Sequence, residues 1–75
     1  MEHENDNEII KKVAYYSKEH IKVHVILNNN RIHNGYITEI AEPEFFIIND
    51  RYLGEMPIFF MEVKGVEKYL ENGQR

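Results

Sequence analysis

The sequence predicts a mostly β domain with one N-terminal helix followed by five short strands. Three observations carry this. The apolar spacing is helical up to about residue 20 and then alternates with a period of two. Segments rich in Asn, Pro and Gly divide the remainder into strand-length pieces. The pieces in the second half are apolar on consecutive residues, which is the pattern of strands covered on both faces.

From about Asn7 to Glu19, "NEIIKKVAYYSKE" places Ile9, Val13, Tyr16 and His20 at i, i+4, i+7 and i+11, one stripe of an amphipathic helix. Asn5 or Asp6 is available as its cap, and Glu8 stands in the first turn. In "IKVHVIL", Ile21, Val23, Val25 and Leu27 share one face, and Lys22 and His24 the other. "NNNR" reads as a turn, because Asn tolerates left-handed backbone angles. The next strand runs from Arg31 to about Ala41 and is stopped by "EPE". Its apolar parity is mixed: Ile32 reads as the inward residue before Gly35, whereas Ile37 follows on the opposite parity beside Tyr36, Thr38 and Ile40. A strand changes face at every residue, so the mixture predicts a bend at Gly35. "EFFIIND" is the third strand, "RYLGE" a turn containing Gly54, "MPIFFMEV" the fourth strand and "KGVEKYL" the last.

The chain has 75 residues, enough for one domain whose core is only marginally stabilising. Without cysteine, neither a disulfide nor a thiolate zinc site can add to it, so association between copies is the expected supplement. A reducing cytoplasm fits that composition. No apolar run approaches the roughly 20 residues of a membrane span. "MEHENDNE" is too acidic for a targeting sequence. Residues 1–6 are expected to be a disordered acidic tail and residues 71–75 a flexible C-terminus, leaving 7–70 as the domain. Thirteen acidic against nine basic residues leave a formal charge of −4, so no global positive field recruits nucleic acid, and any such contact has to be local.

Helix first, five strands after, and a glycine at a bend in the second strand together resemble the Sm/LSm family, including its bacterial Hfq branch. "VHVILNNNRIHNG" is similar to that family's first signature, and "VKGVEKY" to its second, at Val63, Lys64 and Gly65. The resemblance implies an SH3-like, strongly bent, five-stranded antiparallel open barrel in which Gly35 permits the bend. It also implies a homo-oligomeric ring of six or seven copies joined through Ile58, Phe59, Phe60 and Met61 of one copy and Val66 and Tyr69 of the next. A monomeric SH3-like barrel with an apolar patch is the alternative. Rings of this family bind single-stranded RNA, which implies an RNA chaperone or scaffold. Glu44 and Phe45 match the loop before the third strand, with Phe45 as a stacking face, and Lys64 and Gly65 match the loop before the fifth. The family's base-reading Asn has no counterpart in the first of these loops, since Asn49 falls at the far end of the strand. Phe45 as a core residue and Lys64 as a solvated turn lysine are the plain readings. Arg31 with the turn beginning at Asn28 is a second candidate RNA surface, expected on the opposite rim. The same fold serving as a protein-binding module is the alternative function, favoured by the negative charge.

Catalysis finds little support. Ser17 is the one serine, on the helix, and there is no cysteine to act as nucleophile. His20 and His24 have a spacing that suits a metal on a continuous helix, but the change from helix to strand between them removes that geometry. His20 is expected to pack or cap near the helix end. No metal or cofactor is implied.

Overall fold

A computed structural model describes residues 6–70. The expected acidic tail and flexible C-terminus therefore fall outside the described residues, apart from Asp6. Helix α1 (Asp6–Lys18) precedes β1 (Val23–Leu27), β2 (Ile32–Ala41), β3 (Phe45–Asp50) and β4 (Gly54–Phe59). A single 3-10 turn (Phe60–Glu62) then leads into β5 (Val63–Lys68). All pairings are antiparallel, in one open sheet of order β4-β3-β2-β1-β5. No helix among the described residues is long and apolar enough to cross a membrane.

The helix uses its apolar stripe as the spacing requires. Ile9 and Val13 are buried, and Tyr16 packs half-buried against the core. His20, the last member of the expected stripe, is exposed rather than packed but caps the helix end through its backbone: at a φ of 57° it donates its N–H to the Ser17 carbonyl at 3.2 Å, while Ile21 N–H donates to the Tyr16 carbonyl at 2.9 Å. The core joins these two residues to Val23, Val25 and Leu27 of β1, Ile37 of β2, and Phe46 and Ile48 of β3. Ile58, Phe60, Val63 and Val66 complete it.

Strand β2 corrects the sequence reading twice. Its inward residues before the bend are His33, Gly35 and Ile37, whereas Ile32 is 51% exposed. The change of parity is real, but the register breaks at Thr38, between Ile37 opposite Ile48 and Glu39 opposite Ile47. After that bulge the even residue Ile40 turns toward the core, opposite Phe46. At Gly35 backbone crowds the place of a side chain. A Cβ there would collide with the Asn49 carbonyl oxygen and lie 2.8 Å from its carbon, so β3 approaches β2 too closely for any side chain. His24, on the strand face opposite Val23 and Val25 as the alternation requires, is buried, with its Nδ1 2.7 Å from Asn34 Oδ1.

The expected fourth strand is shorter than its apolar run, because Phe60–Glu62 coil into the 3-10 turn. Two hydrogen bonds set the phase of the sheet edges. Phe60 N–H donates to the Glu44 carbonyl at 2.9 Å, a single bond at the hydrogen-bonding phase of the β3–β4 ladder, while Glu44 N–H turns back to the Ala41 carbonyl. Glu55, Pro57 and Phe59 consequently direct their backbone groups away from β3. Tyr69 N–H donates to the Lys22 carbonyl at 2.9 Å, so on β5 the residues whose backbone groups point away from β1 are Val66 and Lys68.

Candidate functional site

The 3-10 turn bonds to two others, the β1–β2 turn and the turn before β3. The β1–β2 turn is closed by Leu27 N–H to the Arg31 carbonyl at 2.9 Å and by Asn30 N–H to the Leu27 carbonyl at 2.8 Å. Asn30 sits at a φ of 70°, a conformation that asparagine accepts more readily than most residues. Asn28 then ties this turn to the 3-10 turn twice, its N–H donating to the Glu62 carbonyl at 2.8 Å and its Nδ2 to the Met61 carbonyl at 3.1 Å. Lys64 Nζ donates to Asn30 Oδ1 at 3.3 Å. The Phe60–Glu44 bond joins the turn before β3 to the same place.

The residues singled out in the sequence therefore gather more closely than expected. Glu44 and Asn28 bond to the 3-10 turn, Lys64 and Gly65 follow it in β5, and Lys64 reaches Asn30 on the turn that carries Arg31. The second surface is not on an opposite rim, because β5 begins beside the end of β1, with Val63 opposite Leu27. Met61, 80% exposed, forms the middle of the region and lines two shallow hollows. One is bounded by Leu27, Asn28, Asn29 and Glu62, the other by Pro43, Glu44 and Phe59. Glu44 and Glu62 bring two carboxylates to the same surface as Lys64 and Arg31.

Phe45 is neither a core residue nor an isolated platform. It lies half-buried on the outer face of the sheet, and its ring meets that of Phe59 edge-on, 5.8 Å between centroids. Phe46 is the residue that fills the core. The expected interface segment divides in the same way. Ile58, Phe60 and Val66 are buried in the core of the chain itself, while Phe59, 44% exposed, and Met61 face outward, and Tyr69 is half-buried under the Lys22 ammonium, 4.4 Å from its ring centre.

A second polar feature, absent from the sequence reading, lies at the β3–β4 turn. Asp50 and His33 are both buried and meet through Oδ2 and Nδ1 at 3.1 Å. Asp50 Oδ1 accepts the N–H groups of Tyr52 at 2.8 Å and Leu53 at 3.0 Å. Burial pushes the Asp50 carboxyl up, but these two bonds, reinforced by His33, outweigh it and hold the group below its ordinary value of 3.8. The signal was an Asp at inward parity at the end of "FFIIND". Among the described residues no group of three His, Asp or Glu side chains could hold a metal ion. No family model, no curated protein and no solved structure matches this chain.

Proposed function

We propose that the chain is an Sm-like domain, a strongly bent open barrel carrying an N-terminal helix, whose copies close a ring of six or seven and bind single-stranded RNA as a chaperone or scaffold in the cytoplasm. The observation that carries the reading is the Phe60–Glu44 hydrogen bond, because it joins the loop before the third strand to the loop before the fifth. Those are the two loops from which the resemblance draws RNA contacts. The strand order leaves β4 and β5 as the two edges, as a head-to-tail contact between copies requires.

In this reading Lys64 and Arg31 meet phosphate, the Asn28 and Asn29 amides meet base edges, and the Phe45–Phe59 pair offers an aromatic surface to a base. Repetition around a ring raises the affinity of a weak site without new contacts. Filter binding of oligo-U and oligo-A over a salt series, with light scattering on the same samples, tests it. Micromolar or tighter binding that weakens with salt, by a particle of six or seven copies, is the expected result. A compact monomer at tens of micromolar would end the ring reading.

Glu44 and Glu62 favour a second reading. Carboxylates beside exposed Met61 and Phe59 repel phosphate and suit a basic, partly apolar protein segment. No binding of either oligonucleotide at low salt decides for that protein-binding module.

A further inference from the structure

The two edges of the sheet are both obstructed, each by a different device. On β4 the backbone groups of Glu55, Pro57 and Phe59 point outward, and the middle residue is a proline, so an added strand finds donors at Glu55 and Phe59 and none between them. On β5 the Val66 carbonyl points away from β1 and accepts a hydrogen bond from Lys12 Nζ at 3.2 Å. Lys12 is half-buried on α1, a helix that packs against both β2 and β5. Proline in an edge strand and a lysine or helix laid over an edge are the features that discourage strand addition.

We infer that Lys12 is a latch on assembly: its ammonium occupies the β5 acceptor that the β4 edge of a second copy would use, so strand addition between copies requires α1 to release Val66. Pro57 weakens the same contact from the other side by removing one donor. Together they make association between copies reversible and responsive to anything that draws Lys12 away, an anionic ligand on α1 included. The inference rests on the strand-to-strand assembly proposed above.

The test is a concentration series by sedimentation velocity on the full chain and on Lys12→Met, Lys12→Gln, Pro57→Val and the Lys12→Met/Pro57→Val double variant, with circular dichroism confirming the folded state of each. Lys11→Met, on the exposed neighbouring position of the helix, controls for added apolar surface. Each of Lys12→Met and Pro57→Val should lower the association midpoint about three- to tenfold, the double variant more than either, and Lys11→Met not at all. Lys12→Gln should also lower it, by less, since an amide still reaches a carbonyl but carries no charge. If wild type associates and neither Lys12 variant differs from it, the latch is wrong while the ring stands. If wild type remains a compact monomer at tens of micromolar the ring reading falls, and if the double variant remains monomeric as well the latch falls with it.

Discussion

The two ends of the β3–β4 hairpin are held by opposite means. At one end, the side-chain bonds of the turn of residues 51–53 converge on one buried carboxylate, Asp50 taking two turn N–H groups on one oxygen and His33 on the other, beside one backbone bond from Arg51 N–H to the Asn34 carbonyl at 3.3 Å. Tyr52 is 82% exposed at its tip, so the turn's own side chains add little to its stability. At the other end, the 3-10 turn is fastened by separate bonds to two other turns, most of them backbone to backbone and in reach of water. The first arrangement concentrates its stabilisation in one group; the second spreads it. A concentrated anchor fails at one substitution, whereas a distributed one should lose only a fraction.

The largest expected effect is therefore at Asp50. Asp50→Ala removes the acceptor of two N–H groups and leaves His33 buried without its partner, and each buried polar group left unsatisfied costs about 1–3 kcal/mol. Urea unfolding of the full chain measures it. A change below about 1 kcal/mol would mean that water replaces the carboxylate and the end is not concentrated at all. The pH dependence has a definite sign. The native carboxyl sits below the ordinary 3.8, so its contribution is complete above that value and is lost as pH falls through the native one, because the unfolded chain takes up the proton first. Asp50→Asn should flatten the acid limb of the stability curve, and an unchanged limb would exclude Asp50 as its source.

Next in size is Gly35, which lies opposite Asp50 in the same ladder. Gly35→Val places a side chain against the Asn49 carbonyl, and since backbone rather than a flexible side chain is in the way, the strands must separate. The cost is on the order of 3 kcal/mol, at the upper end of overpacking. The separation should also disturb Asp50, so Gly35→Val and Asp50→Ala together should cost less than their sum. Strict additivity in unfolding midpoints would show that the glycine and the anchor act independently.

This contrast also explains what could be read without coordinates. The helix and the third strand were legible because their apolar spacing is local: Ile9 and Val13 fall on one helical face, and "FFIIND" is bounded by turn residues. The inward parity of β2 was not. Ile32 is more apolar than His33, yet His33 goes inside because Asp50, seventeen positions away, is there to receive it, and sequence alternation carries no record of such a partner. The 3-10 turn was hidden for a related reason. "MPIFFMEV" is apolar throughout, and only tertiary contacts separate buried Phe60 from exposed Met61. Of the candidate site, the participants were legible and their arrangement was not, since the proximity of Lys64 to the Asn28–Arg31 turn follows from β5 pairing with β1 across the whole chain.

The smallest effect is expected at Asn28, and it tests the distributed end directly. Asn28→Ala removes the side-chain bond to the Met61 carbonyl but keeps the backbone bond to Glu62, and both the amide and its acceptor lie where water can replace a lost partner. A hydrogen bond under these conditions is worth about 0.5–1.5 kcal/mol net, and the exposed site places Asn28 at the lower limit. The variant should melt within a few degrees of wild type, because the Phe60–Glu44 bond and the Lys64–Asn30 bond still hold the turns together. Affinity for oligo-U should nevertheless fall if the Asn28 amide reads a base edge, so a stable variant with weakened binding separates the residue's role in recognition from its role in folding. A loss of stability as large as that of Asp50→Ala would remove the distinction between the two ends, because the 3-10 turn would then hang on one side chain as the 51–53 turn does.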